Sequence, residues 1–319
     1  MSPIRLGIVG TGLAVERLHL PALSALKGLF EIQAIAGRNA EKTQLFAKGH
    51  GIPNIETDAE AILHRADVDA VLLCLPIELN AEWATKALLA GKPAMAEKPI
   101  AANRAEAEAL VQACERPGAP CLMIAENYLF WPHMAEAIRL VKDGSLGQPR
   151  LGVVHQIQNA TRGGEWLTSW RVAPQFEGGF VLDGGVHWAA LLNAMLGRPA
   201  EVLARTSTFD ASLPPIDTSA ALITYECGAR VLWGTAYSAT PSNEALLTLH
   251  GSEGSVAIFW DRAVWKNAEG REQVFASPSG GYDSQWRHFH QVLTQGEPLA
   301  YTSRQAAQDL DLMLKLCGK

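Results

Sequence analysis

The first 125 residues alternate short, β-branched apolar runs with helix-spaced segments, and few folds accept that rhythm. IRLGIVG (4–10), EIQAIAG (31–37), DAVLLCLP (69–76), PAMAEKP (93–99) and CLMIAEN (121–127) read as strands. A first helix carries Leu18, Leu20, Leu23 and Leu26 on one face, and Pro21 predicts an irregular start to it. Further helices are expected near 40–48, at AEAILHRA behind the cap Asp58, at AEWATKALLAG up to Gly91, and over 103–115. Buried strands alternating with helices over short connections predict a parallel sheet covered on both faces.

After about residue 127 the pattern changes. One helix is expected near 133–142. PRLGVVHQIQNA, AEVLARTSTF, SAALITYE, ARVLWGTAYS, EALLTLHG and GSVAIFW then alternate as half-buried, neighbouring antiparallel strands. Residues 178–196 interrupt them with helical periodicity, and helices near 283–294 and 303–316 follow. Two domains are expected, 1–125 and 126–319, with the last helices free to pack back on the first.

Composition narrows the function. With 27 Lys and Arg against 33 Asp and Glu the net charge is −6, so neither nucleic acid nor an anionic membrane is the expected partner. No apolar run is long enough to span a bilayer, and MSPIRLGIVGTG lacks the features of a signal peptide. The 5 cysteines are odd in number, scattered and never in a C-x-x-C pair. Reduced thiols in a cytoplasmic protein are expected.

The turn GIVGTGLAV (7–15) places Gly10 and Gly12 between the first strand and the first helix. There the first glycine permits a tight bend, and the second lets backbone approach a pyrophosphate at a helix N-terminus. Val15 stands at the sixth position, so the full G-x-G-x-x-G is absent. Glu31 begins the second strand, and the carboxyl end of that strand reads Ala36-Gly37-Arg38-Asn39 with no acid for a ribose diol. Arg38 suits a 2′-phosphate, so NADP is expected in preference to NAD.

Glu97-Lys98-Pro99 follows another strand, at the sheet edge where ligands sit in such folds. A lysine there can hold a developing alkoxide. In GGFVLDGGVHW (178–188), Asp183 and His187 share one helix face. By themselves they are metal ligands, a proton-transfer pair or a satisfied polar pair in a core. Two local ligands are too few for a metal site, and none is expected.

In order and spacing these segments resemble the Gfo/Idh/MocA oxidoreductases, the glucose–fructose oxidoreductase, inositol dehydrogenase and rhizopine-catabolism enzymes. The resemblance rests on GIVGTG with HLPAL, AGRNAEK, LCLP, ALLAGKPAMAEKP, ENYLFWP, GSLGQP, SWR and GGFVLDGGVHW. It implies a fold of class α/β: an N-terminal Rossmann domain, then an α/β domain on a large, open, predominantly antiparallel sheet that often forms a subunit interface. A homodimer or homotetramer through that sheet is expected.

The resemblance also implies hydride transfer between NADP or NAD and a sugar, polyol or related cyclic alcohol, with Lys98, Asp183 and His187 catalytic. The cofactor is expected against Gly10, Thr11, Gly12, Leu13, Arg38, Leu75, Pro76, Glu97, Lys98 and Asn127. The substrate is expected against Tyr128, Trp166, Trp170, Arg171 and Tyr282. Two positions depart from the family pattern: Asn80, where histidine is frequent, and Ala190, where aspartate is. A cofactor-recycling NAD-dependent glycosidase, a non-catalytic nucleotide sensor and a dihydrodiol- or biliverdin-type reductase remain alternatives on the same fold.

Overall fold

The computed structural model describes residues 2–162, 164 and 167–319. The chain forms two compact units, Met1–Glu126 with Tyr282–Ala307, and Asn127–Gly281 with Gln308–Lys319.

In the first unit the strands are β1 (Ile4–Val9), β2 (Phe30–Ala36), β3 (Asn54–Glu56), β4 (Ala70–Leu73), β5 (Ala94–Glu97) and β6 (Leu122–Ala125). They form one 6-stranded sheet in the order β3-β2-β1-β4-β5-β6, with every pair parallel. The order reverses at β1, which has β2 on one side and β4 on the other. In open α/β sheets ligands sit at the carboxyl edge of such a reversal. β4, β5 and β6 are buried at every position, which is why they read as unbroken apolar runs.

The helices between the strands are α1 (Leu20–Ala25), α2 (Ala40–His50), α3 (Ala59–His64), α4 (Ile77–Leu89) and α5 (Arg104–Cys114). Side chains of Asn39, Asp58 and Asn103 cap α2, α3 and α5 by accepting from backbone N–H groups. Before α1 the helix widens to a π-helical stretch, Val15–His19. Pro21 explains it: the proline has no N–H for the carbonyl one turn back, and its ring crowds that carbonyl. β3 was not expected, because three residues at a sheet edge leave no readable alternation.

The second unit carries α6 (Pro132–Lys142), β7 (Pro149–Ile157), a short α7 (Ser169–Val172), α8 (Gly179–Leu196), β8 (Pro199–Ser207), β9 (Thr218–Tyr225), β10 (Arg230–Ala236), β11 (Leu247–Gly251), β12 (Gly254–Ile258), β13 (Arg262–Asn267) and β14 (Glu272–Ala276). The 8-stranded order is β14-β13-β12-β11-β7-β10-β9-β8. Two antiparallel meanders flank β7, and β7 pairs with β10 in parallel. That one parallel pair leaves the sheet predominantly antiparallel, as expected, though these runs by themselves read as antiparallel neighbours. β13 and β14 were also unforeseen, since RAVWKN and EQVFA mix charge into the alternation. Two helices complete the chain: α9 (Tyr282–Gln295) and α10 (Ser303–Leu316). Trp286 and Phe289 of α9 are fully buried, and Trp286 meets Phe30 of β2 edge to face.

Gly10 shows why the first turn admits no side chain. Its φ is +118°, and a Cβ there would lie 2.2 Å from the Cys74 carbonyl oxygen beyond β4. Gly10→Ala is expected to cost well over 1 kcal/mol, because strain and clash add. A thermal melt tests this; an unchanged midpoint would contradict the described backbone.

Candidate functional site

In the first unit, the residues expected to hold a dinucleotide follow strands that share one sheet edge. Gly10, Thr11 and Gly12 follow β1, Arg38 follows β2, Leu75 and Pro76 follow β4, and Lys98 follows β5. Gly12 is exposed, and a Cβ on it would meet nothing within 4 Å. A ligand can therefore come directly against its backbone, and a helical run starts at Leu13. Arg38 is exposed, and Asn39 beside it is spent on capping α2. No acidic side chain stands among residues 36–39. These residues fit a dinucleotide.

The turn after β5 is tied down from several sides. Glu97 is buried, and its Oε1 lies 2.7 Å from Nε2 of His19, which is 0% exposed. The indole N–H of Trp286 donates to Nδ1 of the same ring at 3.2 Å. An indole N–H can only donate, so the imidazole proton sits on Nε2 and points at the Glu97 carboxylate. Tyr282 packs edge-on against His19, with ring centroids 5.4 Å apart. Glu97, expected against the cofactor, therefore has a structural partner, and Tyr282, expected against substrate, lies in this first-unit cluster. His19, Cys74 and Glu97 offer ligand atoms within 4.8 Å of one another, but both nitrogens of His19 are already engaged. Asn80, buried on α4, donates from Nδ2 to the carbonyls of Glu97 and Pro99. Lys98 between them is half-buried, and its bond to Pro99 is cis.

In the second unit, Asp183 and His187 lie one turn apart on α8. Asp183 is buried and accepts from Nε of Arg171 at 2.8 Å. The Arg171 guanidinium lies over the Trp170 ring, 4.1 Å from its centroid. Arg171, expected against substrate or cofactor, is thus first the partner of Asp183. The half-buried imidazole of His187 stacks on Tyr128, with centroids 4.1 Å apart and planes 11° from parallel. Tyr128 also meets Trp131, Trp188 and Trp260 edge-on, and Trp260 stays 43% exposed. Asn127 donates to the Gly280 carbonyl at 2.9 Å, which commits one face of its amide to the chain itself. Trp166 lies outside the described residues.

A buried pair below α8 escaped the sequence reading. The Tyr237 hydroxyl donates to Gln156 Oε1 at 2.9 Å and sits where a Gly184 Cβ would be. Burial pushes the Tyr237 phenol well above its usual range, and the Asp183 charge adds to that, so the hydroxyl stays a donor. Gln156 occupies the buried register of β7 with Gly152 and Val154. A polar residue in an inward position was the readable signal. His19 was visible only inside HLPAL, and nothing in the sequence ties it to Trp286, 267 residues away.

Comparisons with known proteins agree with this architecture. Residues 4–125 match the family model described as the Gfo/Idh/MocA oxidoreductase family, NAD-binding Rossmann fold, and residues 134–257 match the Gfo/Idh/MocA C-terminal domain. A Saccharomyces cerevisiae protein, YMR315W, is 31% identical over 100% of this chain and 97% of its own. A dTDP-3,4-didehydro-2,6-dideoxy-α-D-glucose 3-reductase of Streptomyces violaceoruber is 32% identical over 82% of this chain and 73% of its own. The solved structure of an oxidoreductase from Thermotoga maritima superposes with a TM-score of 0.91 at 32% identity, covering 99% of this chain and 96% of that one. No described helix is long and apolar enough to cross a membrane. The chain belongs to the Gfo/Idh/MocA oxidoreductases and carries their NAD-binding Rossmann domain.

Proposed function

We propose that the chain is an NADP-preferring dehydrogenase or reductase of a sugar, polyol or related cyclic alcohol. The observation that carries this reading is one sheet edge. The bare backbone at Gly12 and the ammonium-bearing residue Lys98 both lie at the carboxyl ends of parallel strands, beside the reversal at β1. The substrate class is supported by the reductase relative of Streptomyces violaceoruber, which is named for a deoxysugar nucleotide.

Gly10, Thr11, Gly12 and Leu13 would hold the pyrophosphate, Arg38 the 2′-phosphate, and Leu75, Pro76, Glu97 and Asn127 the rest of the cofactor. A nicotinamide held there would supply the hydride acceptor for a carbinol carbon, or the hydride donor for a carbonyl. Lys98 stabilises the alkoxide by its charge. His187 takes the hydroxyl proton during oxidation and gives one during reduction, because an imidazole nitrogen can serve as base or acid. Stacking on Tyr128 fixes the plane of that ring. Asp183, held by Arg171, keeps a negative charge one helical turn away. Tyr128, Trp170 and Tyr282 supply aromatic faces of the kind that sugar C–H surfaces favour.

Lys98→Ala and His187→Ala are each expected to lower kcat about 100-fold or more, with cofactor binding largely intact. The measurement follows nicotinamide absorbance across a panel of aldoses, anhydrosugars and cyclitols. Near-normal turnover in both variants would end this mechanism. Arg38→Ala is expected to weaken NADPH binding about 10- to 100-fold and leave NADH binding little changed, the loss of one charge-assisted contact. Equal effects on the two cofactors would remove the 2′-phosphate role.

The sheet of the second unit carries a matching expectation. Leu203, Leu222 and Leu232 lie in one registered row across β8, β9 and β10 and are 57%, 36% and 48% exposed. We propose that a second copy of the chain covers this row, as a homodimer or within a homotetramer. Light scattering should give a multiple of the chain mass, and the pair Leu222→Lys with Leu232→Glu should give the single-chain mass. A monomeric wild-type protein would contradict the proposal.

A further inference from the structure

The strongest unassigned feature is the amide of Asn80. It lies on the buried face of α4 with Ile77, Ala81 and Ala84, and is 1% exposed. Its Nδ2 donates at 2.9 Å to the carbonyl of Glu97 and at 2.8 Å to the carbonyl of Pro99. Those carbonyls belong to the residues immediately before and after Lys98. One side chain thus grips the backbone on both sides of the lysine, with each of its two N–H bonds used once.

The grip is specific to an amide at this point. Asn80 Oδ1 has no hydrogen-bond partner among the described residues, and a buried unmet acceptor costs about 1–3 kcal/mol. An apolar side chain of the same size would avoid that cost but leave two buried carbonyls without their donor. The Glu97 side chain is separately held by His19. Backbone and side-chain anchors therefore converge on one three-residue turn whose middle member is half-buried Lys98. Asn80 also stands in the first turn of the helix that Pro76 opens, so the same residue ties the β4–α4 connection to the lysine turn.

We infer that Asn80 is a positioning residue: its paired hydrogen bonds set the backbone from which Lys98 reaches the reacting oxygen. This rests on the catalytic reading of Lys98, and a double-mutant cycle separates the two. Asn80→Ala removes both donors, and Asn80→Asp keeps the shape while removing the amide N–H groups. Either variant suffices if the other fails to fold, as judged by thermal melting and by NADPH fluorescence titration.

Against the sugar or cyclitol that the wild-type chain turns over in the panel, each variant should lose about 10- to 100-fold in kcat, as expected for a displaced catalytic group, with a smaller change in KM. In a Lys98→Ala background the same Asn80 change should cost less than about twofold, because its route of action is gone. If Lys98→Ala itself leaves kcat unchanged, the catalytic reading of Lys98 falls. If Lys98→Ala is slow and the Asn80 loss simply multiplies onto it, the positioning role falls alone.

A readout without turnover comes from reductive ¹³C-methylation of the lysines of the cofactor-free protein. The Lys98 resonance is identified by its disappearance in Lys98→Ala. Asn80→Ala should shift or broaden that resonance while the other lysines stay in place. An unmoved Lys98 signal would overturn the inference whatever the kinetics show.

Discussion

The first unit depends on one close approach. The backbone leaving β1 at Gly10 passes so near the Cys74 carbonyl that no side chain fits, and this happens where the strand order reverses. A residue with a Cβ there would clash with the Cys74 backbone and displace the β1 exit from β4. Two residues on, Gly12 presents bare backbone to solvent at the start of a helical run. The carboxyl ends of β2, β4 and β5 then deliver Arg38, Leu75 and Lys98 to the same edge without any long loop. The topology places these chemical groups, and the side chains refine their aim.

That refinement is polar and buried. Trp286 fixes the tautomer of His19, His19 holds Glu97, and Asn80 holds the carbonyls either side of Lys98. In the second unit Arg171 neutralises buried Asp183, Tyr128 stacks on His187, and Tyr237 fills the space that Gly184 leaves. The hydrogen-bonded arrangements spend polar groups on orienting a neighbour, and the Tyr128–His187 stack does so by ring contact. Breaking a buried pair from one side leaves a charge or donor stranded, which costs far more than an exposed pair would.

The sequence made some of this legible and hid the rest for physical reasons. Fully buried parallel strands write themselves as apolar runs, so β1, β2, β4, β5 and β6 were readable; β3 was too short and β14 too charged. The parallel pairing of β7 with β10 was not readable, because alternation reports which face is buried and says nothing of which strand lies alongside. Lys98, Asp183 and His187 stood out as polar residues in apolar or turn settings. Their supports did not: His19 and Glu97 are 78 positions apart, and Asn80 drew notice only as a departure from the family pattern. Arg171 was noticed as a binder of ligands, whereas its nearest duty is to Asp183.

The central claim is that the edge beside β1 receives a nicotinamide dinucleotide against Gly12. A crystal structure of the protein grown with NADPH tests it most directly. The account predicts density for the pyrophosphate against the Gly12 backbone, with the 2′-phosphate beside Arg38. Density for the cofactor anywhere else, or Gly12 covered by the chain's own side chains under saturating NADPH, would contradict it.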